Sequence, residues 1–109
     1  MRFKPEIESP LPKRLKEARL RAGISQKKLG IFAGIDEFSA SARMNQYEKG
    51  KHAPDYAMAS RLATLLNVPS SYLYESDDDI AALLVLFHTL NEPEKTLLKD
   101  KMKALLHMA

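Results

Sequence analysis

The residues best suited to do chemistry fall in two short stretches, Gln26-Lys27-Lys28 and Ser41-Ala42-Arg43-Met44-Asn45-Gln46-Tyr47-Glu48-Lys49. The amides of Asn45 and Gln46 each pair a donor with an acceptor, which is what the N6/N7 edge of adenine requires, and a methyl such as that of Ala42 can touch the C5-methyl of thymine. Lys27, Lys28, Arg43, Lys49 and Lys51 can neutralise phosphates, a contribution that carries no sequence information. Other chemistries find little support. His52, His88 and His107 lie in separate segments without a second ligand at metal-binding spacing, so no metal site is expected. Ser39, Ser41, Ser70 and Ser71 stand near helix starts, where capping explains them better than nucleophilic catalysis. Asp77-Asp78-Asp79 reads as a helix N-terminus rather than a cation site, because no further ligands are arranged around it. There is no glycine-rich phosphate loop. The sequence predicts no cofactor and no enzyme.

These stretches belong to a chain of 109 residues, 45% of them hydrophobic, enough for one core and a small appendage. No apolar run approaches the roughly 18 residues of a membrane span. The start, Met1-Arg2-Phe3-Lys4-Pro5-Glu6, lacks the apolar segment of a secretory signal, and cysteine is absent, so a cytoplasmic, reducing location is expected. Charge is unevenly placed. Residues 1–53 carry twelve Lys/Arg against six Asp/Glu, whereas residues 54–109 carry five against eight. A polyanionic partner is therefore expected for the first half alone.

The elements that must position the candidate residues follow from periodicity and punctuation. Pro5, Pro10 and Pro12 predict an N-terminal arm over residues 1–10. A helix then carries Leu11, Leu15, Ala18, Arg19 and Ala22 and stops at Gly23. Ser25 caps a second helix over residues 26–33, with Leu29, Phe32 and Ala33 inward, closed by Gly34. Residues 35–41 read equally as loop or helix. From Ser41 a third helix sets Met44 and Tyr47 on one face and ends at Gly50. A fourth, over residues 56–66, turns Ala59, Leu62, Ala63 and Leu66 inward, and residues 70–74 make a short fifth. After the Asp triplet comes an apolar helix to Leu90. Asn91-Glu92-Pro93-Glu94 then has the form of a capping box and opens a last helix. No segment alternates at period two, so the fold class is all-α. The predicted division is an arm, residues 1–10; a helical domain, residues 11–76; and a C-terminal helical segment, residues 77–109.

With Arg19 before Gly23, Ser25-Gln26 opening the second helix, Tyr47-Glu48-Lys49-Gly50 closing the third, and Leu62-Ala63 with Leu66 and Tyr72-Leu73 following, residues 11–75 resemble the Cro/lambda-repressor-like (XRE) helix-turn-helix family. The resemblance implies a five-helix domain whose third helix enters the major groove of double-stranded DNA. Gln46 matches a base-contacting position of that family, and Ser41, Ala42 and Asn45 match others. Gln26 stands where a helix start receives a phosphate, and Arg19 and Glu48 stand where the family forms an ion pair between the first and third helices. One departure concerns length. Sixteen positions separate Gly34 from Gly50, about four more than is usual, and four residues approximate one helical turn. Either the third helix starts a turn early, capped by Asp36, or a longer loop precedes it, with Ser39 as cap.

The segment from Ile80 to Leu90 is apolar nearly all round, which demands cover on more than one side. The last helix is expected to cover one side and a second copy of the chain another, through Leu83, Leu86, Phe87, Leu90, Leu98, Met102 and Leu105. The reading is thus a transcriptional regulator of repressor type that binds a palindromic operator as a homodimer. Two alternatives stay open: an antitoxin whose C-terminal helices hold a toxin or another regulatory protein, and a protein–protein adaptor that has lost DNA reading.

Overall fold

A computed structural model describes residues 8–108. Most of the predicted arm lies outside the described residues. Within them seven α-helices follow one another: α1 Leu11–Ala22, α2 Gln26–Phe32, α3 Ala40–Glu48, α4 Tyr56–Leu65, α5 Ser70–Leu73, α6 Asp78–Thr89 and α7 Glu92–His107. The first five wrap one core built from Leu15, Leu29, Met44, Leu62 and Leu73, with Leu11, Ala18, Ala33, Tyr47, Ala59 and Tyr72 around them.

Local chemistry sets the helix ends. Gly23 adopts φ +68° and its N–H returns to the Leu20 carbonyl, a left-handed stop that only glycine makes without strain. Ser25 Oγ accepts from the Lys28 N–H at 3.0 Å, and Asp55 Oδ1 from the Met58 N–H at 2.8 Å. Asp77 Oδ1 accepts from the N–H groups of Asp79 and Ile80, and Asn91 and Glu94 form a reciprocal capping box. The hydroxyl of Ser39 makes no capping hydrogen bond, and Pro69, not a serine, flanks α5; the capping role expected of Ser39 and Ser70 is corrected accordingly.

The extra residues before α3 form a loop. The Asp36 carboxylate accepts from the Phe38 N–H at 3.0 Å while its carbonyl accepts from the Ser39 N–H, a turn that holds the chain off helical geometry until Ala40. Phe32, expected inward, is 59% exposed. The inner stripe of α2 is Leu29, Gly30 and Ala33, and Gly30 is there because α3 approaches so closely that a Cβ would stand 2.8 Å from that of Ala40. Phe32, two residues on from Gly30 and nearly opposite it around the helix, therefore faces away from α3.

The C-terminal helices depart most from expectation. The last helix covers little of α6: no residue of α7 is buried, although Lys95 lies over the Phe87 ring, 5.3 Å from its centre. Instead α6 rests on the first domain, burying Ala81 and packing Leu84 and Val85 against its core. Leu90, extended at ψ 149°, turns the chain before α7 and carries it away. The radius of gyration, 16.6 Å, exceeds the roughly 13 Å of a compact chain this long.

Candidate nucleic-acid interface

Ala40, Met44 and Tyr47 bury one face of α3, at i, i+4 and i+7. That fixes the opposite face. Ser41, Ala42, Arg43 and Asn45 are exposed, as is Lys49 beyond the helix end, and Gln46 is half-buried at the edge. Lys27 and Lys28, on the first turn of α2, and Lys51, after α3, are exposed too.

Below this surface lies a polar network. Arg19 grips Glu48 with two hydrogen bonds, Nε to Oε2 at 2.6 Å and Nη2 to Oε1 at 3.1 Å, and its third arm donates to the Ile24 carbonyl at 3.0 Å. The Glu48 side chain is only 3% exposed, so this is a nearly dry, bidentate pair whose rupture would strand a charge. Gln26 joins it from α2. Its Nε2 donates to Glu48 Oε1 at 3.1 Å and faces Asn45 Oδ1 at 3.4 Å. The side-chain donor of Gln26 is thereby engaged within the protein, which leaves its backbone N–H for the expected phosphate contact. Three helices are tied together at the base of the exposed face, so Arg19, Gln26, Asn45 and Glu48 converge. Gln46 makes no side-chain hydrogen bond among the described residues.

The sequence reading missed Arg14, the charged residue of the core, 3% exposed. Its Nε donates to the Glu75 carbonyl at 2.7 Å and its Nη2 to Asp78 Oδ1 at 2.9 Å and to the Ser76 carbonyl, while Nη1 reaches Glu17 at 3.2 Å. Hydrogen bonds from Arg14 and then Lys13, with their charges, hold the Asp78 carboxyl below the ordinary aspartate value. Burial opposes the charge on Arg14, but its bonds to Asp78 and Glu17 outweigh that and raise its pKa further. A signal for this was present: Arg14 falls three residues after Leu11 and four before Ala18, on the inner stripe of α1. Arg61 was also missed; its Nη1 donates to the Ala33 carbonyl at 2.9 Å and closes the end of α2.

Of the residues expected to join two copies, Leu83 and Leu86 on α6 and Leu98, Met102 and Leu105 on α7 are exposed, and Phe87 and Leu90 are half-buried. Among the described residues no three His, Cys, Asp or Glu side chains cluster to hold a metal ion, and no helix is long and apolar enough to cross a membrane.

An all-helical domain whose third helix lies across the second, polar face outward, with two further helices behind it, is a helix-turn-helix protein with a C-terminal extension. The crystal structure of the transcriptional regulator BswR matches it with a TM-score of 0.86 at 47% identity, over 90% of this chain and 97% of that one. The chain belongs to the family of that regulator. No protein-family model and no curated protein matches the chain.

Proposed function

We propose that the chain is a sequence-specific DNA-binding transcriptional regulator of the Cro/lambda-repressor-like kind, acting in the cytoplasm as a repressor on a palindromic operator. The observation that carries the reading is the exposed face of α3, where Ser41, Ala42, Asn45 and Gln46 stand free of the core on a helix clamped by the Arg19–Glu48 pair. A helix held this way can enter a major groove without reorganising, so little ordering entropy is lost on binding. Lys27, Lys28, Arg43, Lys49 and Lys51 flank it, with the Gln26 backbone N–H, as phosphate contacts. The similarity to a transcriptional regulator over nearly the whole chain supports the same reading.

The second element is a homodimer. Leu83 and Leu86 on α6 are 63% and 62% exposed, and Leu98, Met102 and Leu105 on α7 are exposed as well, apolar side chains that nothing among the described residues covers. A second copy is the occupant that also gives function: two recognition helices about 34 Å apart address successive major grooves of a symmetric site. The same exposed surface favours a second reading, an antitoxin that holds a toxin there.

The test joins selection from random duplex DNA with light scattering. Gln46→Ala is expected to weaken the selected site by about 1–3 kcal/mol and to relax one base pair in each half-site, because a bidentate amide contact contributes that much. Equal losses on selected and random DNA would remove Gln46 from the reading face. A full-length protein that stays monomeric at high concentration would end the homodimer proposal and favour the antitoxin.

A further inference from the structure

We infer that Asn45 reads its base through N–H donors alone and so selects guanine over adenine, with Gln26 as the positioning residue that imposes the choice. The inference rests on the DNA-binding reading above and names the base edge that reading leaves open.

The polarity starts at Glu48. A carboxylate ion-paired to Arg19 only accepts hydrogen bonds, so Gln26 must present its NH2 end, not its carbonyl, at 3.1 Å. With the amide so oriented, its second N–H faces Asn45 Oδ1 at 3.4 Å. That bond holds the Asn45 carbonyl on the side of α2, so that Nδ2 with its two hydrogens is the end left for a base. In the major groove guanine shows two acceptors, N7 and O6, whereas adenine shows one acceptor, N7, beside the N6–H2 donor. A donor-only amide meets both guanine atoms. Against adenine it satisfies N7 and sets donor against donor at N6. Gln46 differs because its side chain has no hydrogen-bond partner among the described residues, so both ends of its amide remain open and adenine suits it. Two adjacent amides of like chemistry thus read different bases, since only one lies within reach of Gln26.

The experiment selects a preferred site from random duplex DNA with the full-length protein. It then measures binding of the wild type, Asn45→Ala and Gln26→Ala to duplexes varied at the position whose preference Asn45→Ala abolishes. The wild type is expected to favour guanine over adenine there by on the order of ten-fold, and 7-deazaguanine, which lacks the N7 acceptor, is expected to lose much of that advantage. Gln26→Ala, its folding verified by thermal unfolding, should bring the guanine-to-adenine ratio toward one and leave the Gln46 position unchanged. A preference for adenine or a pyrimidine at the Asn45 position, a site indifferent to 7-deazaguanine, or a ratio that survives Gln26→Ala would each overturn the inference. A pool that enriches no sequence at all would instead refute the DNA-binding reading beneath it.

Discussion

Gly30→Ala probes the contact on which the position of α3 depends. In an ordinary helix the change is favourable, by up to about 1 kcal/mol. Here the new Cβ would meet three atoms of Ala40: its Cβ at 2.8 Å, its carbonyl oxygen at 3.0 Å and its Cα at 3.1 Å. None can rotate away. Carbon atoms rest at about 3.5–4.0 Å from one another, so α2 and α3 must part by the better part of an ångström. Overpacking of this kind costs about 1–3 kcal/mol, and an unyielding backbone places it toward the upper end. After the helix gain, a net loss of roughly 1–2 kcal/mol remains. For a domain of this size that lowers Tm by about 4–8 °C per kcal/mol. The displacement falls on α3 itself, so it also strains the Arg19–Glu48–Gln26 network and should reduce affinity for a selected site in the folded protein. Thermal unfolding by circular dichroism and DNA titration well below Tm measure the two effects. Gly23→Ala is the control. It meets no atom within 4 Å but has φ +68°, so it should lose about 1–2 kcal/mol through backbone strain and leave DNA affinity below Tm unchanged. A Gly30→Ala protein as stable as wild type, binding equally well, would refute the close packing of α2 on α3.

Lys27→Ala and Lys49→Ala should weaken specific and random DNA binding alike, each reducing the slope of log affinity against log salt by about one; an unchanged slope in both would mean the phosphate-facing side has been misplaced. Ending the chain after Leu90 should leave a folded, monomeric protein whose operator affinity falls by a factor of about 100, because tethering of two half-site readers is lost. Ending it before Asp77 also strips Asp78 from the buried Arg14 and uncovers the seat of Ala81, Leu84 and Val85, so this shorter piece should unfold at lower denaturant than the longer one. Equal midpoints would show that α6 contributes nothing to the domain. The Asp78 carboxyl, held below its ordinary value by Arg14 and Lys13, stabilises the docked α6 above the unfolded aspartate pKa, and that contribution disappears as pH falls through the lower, folded value. Acid should therefore loosen α6 in wild type and have less effect in Asp78→Asn, as measured by amide exchange along α6.

What the amino-acid order determined by itself was local. Gly23 and Gly50 stop α1 and close the end of α3, Ser25 and Asp77 begin helices through their own oxygens, and Asn91 with Glu94 forms its box within four residues, because caps and stops need only neighbours along the chain. The inward stripes of α3 and α4, and Leu11, Leu15 and Ala18 of α1, were legible for the same reason, as 3.6-residue periodicity is written in one dimension, although Ala22, on the same pattern, is exposed. Tertiary structure decided whatever depends on two elements meeting. Nothing near Phe32 announces its exposure; that follows from which side of α2 meets α3, the side of Leu29 and Gly30. The length between Gly34 and Gly50 fits a longer helix or a longer loop, and Asp36 folding back on Phe38 and Ser39 made it a loop. Arg14 falls on the inner stripe of α1, but the carbonyls of Glu75 and Ser76 that hold it, more than sixty residues away, are brought to it only by the fold. Asn45 and Gln46 are alike in sequence, and only the arrival of Gln26 from another helix makes them different. A hydrogen bond between distant residues has no periodicity to betray it, and that is why the outward face of α3 was visible in the chain while the bond from Gln26 to Asn45 was not.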